Sequence, residues 1–217
     1  MQVEIVKRPA NSAAKITLAP GETVSAEAGA MIAMSADITV TTTTHKKEGG
    51  GGLLKGLKRL IAGESLFLNH FTAGSNGGEI YLATTLSGDM ECIELDGTTK
   101  LKVQAGSFVA HDPNVTMDIS FGGMKTLFSG ENLIWLSFSG KGKVVINAFG
   151  AIYPVQIDGE YIVDTGNVAA YQESLTFKVT KASKSMISSI LGGEGLVCRF
   201  QGKGTVYCQT HSDGTFG

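Results

Sequence analysis

LGGEGLVCRFQGKGTVYCQT, residues 191–210, sets glycines around a glutamate and again around a lysine, and two earlier stretches read the same way. LIAGESLFLNHFTA, from Leu60, and LFSGENLIWLSFSGKGKVVINAFG, from Leu127, each carry Gly-Glu-x-Leu. The motif therefore falls at Gly63-Glu64, Gly130-Glu131 and Gly193-Glu194, with Phe71, Phe138 and Phe200 following at nearly constant distance. The second and third copies also share Gly140-Lys141-Gly142 and Gly202-Lys203-Gly204, where the first has Gly74 and Gly77-Gly78.

A second element precedes each of these. PGETVSAEAGAMIAM, DGTTKLKVQAGSFVAH and DGEYIVDTGNVAAY all open on a turn pair, Pro20-Gly21, Asp96-Gly97 or Asp158-Gly159. Each then runs through strand-forming residues to Glu27-Ala28-Gly29, Gln104-Ala105-Gly106 or Asp164-Thr165-Gly166. A unit of about 60–75 residues built from short strands buries too little apolar surface to stand alone, but tandem copies share a core. The expected fold is all-β: three tandem small β-repeats, 1–83, 84–150 and 151–217, in a pseudo-threefold arrangement. The first is lengthened by a Gly-rich, helical insertion at about 45–61, in which Leu53, Leu54, Leu57, Leu60 and Ile61 fall at helical spacing. Gly-Lys-Gly and Asp-Gly are expected as hairpin turns, which would set Cys198 opposite Cys208 and Lys203 at a hairpin tip.

Composition narrows the function. The chain has 217 residues, 42% apolar and 18% charged, with 29 glycines dispersed between runs of Val, Ile, Thr and Phe. A net charge of −2 gives no overall attraction for nucleic acid or an anionic membrane. No apolar run is long enough to span a bilayer, and MQVEIVKRPANSAAK reads as neither a secretory signal nor a transit peptide, so a cytoplasmic protein is expected. Three cysteines, Cys92, Cys198 and Cys208, are too few for a disulfide framework and are expected to be reduced.

The glycine-rich stretches do not meet the requirements of a phosphate loop. A Walker-type loop needs a glycine five residues before Gly-Lys and a hydroxyl residue after it. Val197 and Trp135 occupy the first position and glycine the second. The histidines His45, His70, His111 and His211 lack metal-ligand spacing, and HDPN at His111 reads as a turn. No serine sits in a nucleophile elbow. No catalytic residue, cofactor or metal site is therefore expected. Glu64, Glu131 and Glu194 are expected to accept backbone hydrogen bonds in the turns Gly63-Glu64, Gly130-Glu131 and Gly193-Glu194, although an acidic ring holding a cation is the competing use of three equivalent carboxylates. Segment 53–61, with Lys55, Lys58 and Arg59 opposite its leucines, is expected to pack onto the β-body or against a neighbouring subunit; a membrane surface or RNA is the competing contact.

KRLIAGESLFLNHFTA, VQAGSFVAH, VDTGNVAAY and GGEGLVCRFQGKGTVYCQT together resemble the altered-inheritance-of-mitochondria family of mitochondrial biogenesis proteins and its bacterial members, from about Pro20 to Thr210. The resemblance implies three copies of a small β-fold similar to the tryptophan RNA-binding attenuation protein, and a homotrimer forming a ring-like body. The resemblance carries no established biochemical activity, and so speaks to fold more than to function. The expectation is a non-enzymatic, self-associating structural or binding protein. An RNA-binding ring, or a membrane-surface scaffold using 53–61, are the alternatives.

Overall fold

The computed structural model describes residues 1–45, 66–121, 134–181 and 196–212. The first third of the chain gives short strands, β1 (Gln2–Val6), β2 (Ala13–Leu18), β3 (Thr23–Glu27), β4 (Met31–Met34), β5 (Thr39–His45), β6 (Leu66–Thr72) and β7 (Gly78–Leu82). The middle gives β8 (Met90–Asp96), β9 (Leu101–Gln104), β10 (Phe108–His111), β11 (Val115–Phe121) and the long β12 (Ile134–Asn147). The last third gives β13 (Ile152–Asp164), β14 (Val168–Gln172), β15 (Leu175–Lys181) and β16 (Leu196–Gln209). Two 3-10 turns, Ala105–Ser107 and Thr165–Asn167, fall on the small-residue–glycine triplets, and no α-helix occurs among the described residues. The fold is all-β, as the Val/Ile/Thr/Phe runs require.

The strands pair antiparallel throughout. One sheet has the order β1-β2-β7-β4, and the remaining strands form a second, larger one. The long strands explain how that sheet turns corners. The first half of β12 lies between β11 and β9, and its second half lies between β10 and β8. β16 behaves likewise, with β15 on its first half, β14 on its second, and β13 along its whole length.

Gly-Lys-Gly sits at those corners rather than at hairpin tips, which corrects the sequence reading. Gly140 and Gly202 have φ of 109° and 125°, open to glycine and costly for other residues. A Cβ on Gly140 would stand 2.5 Å from the Asn114 carbonyl oxygen. Glycine here lets the strand twist from one partner to the next without leaving the ladder. Lys203 lies mid-strand opposite Asp158, its Nζ 3.0 Å from the carboxylate. Asp158-Gly159 is likewise interior to β13, whereas Pro20-Gly21 and Asp96-Gly97 do separate strands. Cys198 and Cys208 are consequently not facing residues: both lie on β16, opposite Val163 and Tyr153, and all three cysteines are free.

Among the described residues burial divides into three apolar clusters. The first gathers Ile16, Val24, Phe71, Ile80 and Leu82. The second is centred on Phe108, Phe138, Leu101 and Val103, and the third on Phe200, Tyr171, Trp135 and Val206. Phe71, Phe138 and Phe200 are all fully buried, so the phenylalanines that marked the sequence pattern are core residues. The Gly-Glu turns at Gly63, Glu64, Gly130, Glu131, Gly193 and Glu194 lie outside the described residues, as does the expected insertion from residue 46 onward.

Candidate functional site

A recurring feature of the fold is the set of strands carrying Met31-Ile32-Ala33-Met34, Phe108-Val109-Ala110-His111 and Val168-Ala169-Ala170-Tyr171. Each bears a β-bulge at the same place, between Met31 and Ala33, Phe108 and Ala110, and Val168 and Ala170. A bulge rotates the strand so that its far edge faces a new partner. For β10 that partner is β3, with Ala110 opposite Ala26 and His111 opposite Ser25. For β14 it is β9, with Ala170 opposite Val103 and Tyr171 opposite Lys102. These two seams are dry: Ala110, Ala26, Ala170 and Val103 are all 0% exposed.

β4 has no such partner among the described residues; it pairs with β7 alone. Ile32 is 59% exposed, whereas Val109 and Ala169 in the same position of β10 and β14 are 0% exposed. The distal half of β13 is also open. Among the described residues it pairs with β16 alone, and Tyr161 and Ile162 are about half exposed. Val24 and Leu101, which face Phe71 and Phe138 as Tyr161 faces Phe200, are fully buried. Two apolar strand edges therefore stand uncovered, one in the first third of the chain and one in the last.

A family model for mitochondrial biogenesis AIM24 matches residues 3–211. The chain belongs to the AIM24 family. It is 29% identical over 202 residues to an uncharacterized protein of Streptococcus pyogenes serotype M6, covering 90% of this chain and 80% of that protein. An X-ray crystal structure of a Streptococcus pyogenes protein superposes with a TM-score of 0.77 at 25% identity, over 99% of this chain and 95% of that one. The resemblance read from the sequence motifs is thus the correct family.

Elsewhere this AIM24 chain carries polar constellations that sequence reading did not find. Asp89 is buried, yet it accepts from Arg8 Nη2 at 2.8 Å, Ser12 Oγ at 2.8 Å and its neighbour Met90 N at 2.9 Å. Burial opposes the charge, but these donors together hold the carboxyl below the usual carboxylate range. The cluster ties the β1–β2 connection to the start of β8, a structural task. Ser25 and His70 meet across β3 and β6, Oγ to Nδ1 at 2.8 Å, and Thr43 bonds the other ring nitrogen at 2.7 Å. A serine–histidine pair suggests a nucleophile, but a hydroxyl stands where a carboxylate would orient the ring, and Ser25 is only 4% exposed. His111 closes β10 and Asp112 opens the expected turn, with Val115 N bonded to the Asp112 carbonyl at 3.0 Å.

A cleft of about 420 Å³ opens between β8 and the β13–β14–β16 face, lined by Glu91, Glu94, Asp96, Gln156, Gln172 and Tyr207 among others. Asp96 is already satisfied by Thr98 N, Thr99 N and the Thr98 hydroxyl, which bring its carboxyl down to about 2. Among the described residues no group of three or more His, Cys, Asp or Glu side chains is placed to hold a metal ion. No described helix is long and apolar enough to cross a membrane.

Proposed function

We propose that this chain is a non-enzymatic, self-associating structural or binding protein, built as an open series of three tandem β-units that assembles into a ring-like homotrimer. The observation that carries this reading is the pair of uncovered apolar edges, with Met31 and Ile32 on one and Tyr161 and Ile162 on the other. A strand edge presents unpaired backbone donors and acceptors, and soluble proteins guard such edges with charge, proline or a covering element. Met31-Ile32-Ala33-Met34 has neither a charge nor a proline. The three-unit organisation is supported by the common bulge and by the in-register phenylalanines, and the trimer by the family resemblance. Free cysteines fit a reducing, cytoplasmic setting. Ser25 is buried and its partner His70 has a hydroxyl rather than a carboxylate on the other ring nitrogen, so the pair is read as a structural contact.

Native mass spectrometry together with light scattering tests the reading. The expected result is one discrete species of three chains, retaining its mass on dilution to low micromolar concentration. A strict monomer overturns it.

A further inference from the structure

The two seams inside the chain share one construction. In each, a bulged strand of one unit meets the strand that precedes the small-residue–glycine turn of the preceding unit: β10 on β3, and β14 on β9. Carrying that rule one step further gives a third seam, whose halves are β4 and the distal part of β13. Both halves exist, and among the described residues neither has a strand along this edge. Residues that are fully or almost fully covered in the first two seams have open counterparts here: Phe108 and Val168 are 0% and 1% exposed, and Met31 is 41%.

We infer that the free edge of β4 in one copy pairs antiparallel with residues 160–164 of β13 in the next, Ala33 opposite Val163 and Met34 opposite Ile162. The register follows from the seams already made, Ala110 opposite Ala26 and Ala170 opposite Val103, because Ala33 aligns with both alanines and Val163 with Ala26 and Val103. The inference rests on the self-association proposed above and specifies its geometry. The occupant is a second copy of this chain because the chain itself supplies both complementary halves. The contact is heterologous, each subunit giving one edge and receiving the other, which is how rings rather than isolated twofold dimers arise. Sheet extension supplies the main-chain hydrogen bonds, and Met31, Ile32, Tyr161 and Ile162 supply the apolar cover. One six-stranded-plus-β1 layer would then be shared between subunits, β2, β7 and β4 continuing into β13, β16 and β15 of the neighbour.

Two single variants test this, Ile32→Lys on the β4 edge and Tyr161→Lys on the β13 edge, where Val24 and Leu101 hold the same place in the finished seams and are 0% exposed. Both side chains project into solvent in the single chain, so each variant should keep the wild-type circular dichroism and melting profile of the subunit. Each alone is expected to fall to monomer, with association weakened on the order of a hundredfold or more, since an unpaired charge replaces an apolar side chain that the seam buries. Mixed one to one, they are expected to form a heterodimer that grows no further. The intact β4 edge of Tyr161→Lys meets the intact β13 edge of Ile32→Lys, and the two blocked edges remain outside. If the wild type assembles but both variants assemble equally well, this pairing is wrong while self-association stands. Assembly by one variant alone, or no heterodimer on mixing, equally overturns the head-to-tail geometry. A monomeric wild type removes the underlying reading itself.

Discussion

At the scale of single residues, Glu27 illustrates how a carboxylate responds to its place in the fold. It ends β3 opposite Leu68, and burial without a compensating cation pushes its carboxyl up to about 7. The folded-state value lies above the unfolded value of about 4.3, so folding takes up a proton. The stability this represents is present below about pH 4 and is lost as the pH rises to about 7. Glu27→Gln removes the titration. It is expected to raise Tm by about 2–4 °C at pH 8, on the order of 1 kcal/mol after allowing for solvent screening, and to change little at pH 5. Thermal melts of both proteins at the two pH values check this, and equal shifts at both would contradict it. Asp89 is the converse, a buried carboxylate held ionised because Arg8, Ser12 and an N–H all donate to it.

The elements explain which parts of the fold could be read in advance. Strand content was legible because β-branched and aromatic runs are local properties, and the buried phenylalanines were legible because they recur at fixed offsets. Gly-Lys-Gly was misread because a hairpin tip and a sheet corner ask for the same positive φ from glycine. They differ only in what lies beside the strand, and β8, β9, β10 and β11 are all distant from Gly140 in sequence. The uncovered edge escaped for the same reason. Met31-Ile32-Ala33-Met34 looks like its buried counterparts, and only the pairing reveals that it lacks a second neighbour among the described residues. Two substitutions separate the demands at a corner. Gly140→Ala meets both a φ of 109° and the Asn114 carbonyl, and is expected to cost about 2–4 kcal/mol in urea unfolding. Gly159→Ala has a φ of 117° but open space around it, and is expected to cost about 1–2 kcal/mol. Equal costs would show that the close approach contributes nothing.

For the whole molecule, three apolar clusters strung along the chain imply that its parts need not open together. Cys92 packs beside the first cluster and lines the cleft, while Cys198 and Cys208 belong to the third. Burial raises all three thiols, Cys198 to about 12 and Cys208 to about 11, so neither of the latter offers a thiolate to reagent at neutral pH. A disulfide reagent should therefore label Cys92 first and the other two only when the third cluster opens. Tracked by mass spectrometry, the second and third labels are expected to arrive together, at a rate independent of reagent concentration once it is high; simultaneous labelling of all three would exclude separate opening. The chain thus carries its own chemical clock, with one hand on the cleft and the other two on the breathing of its last third.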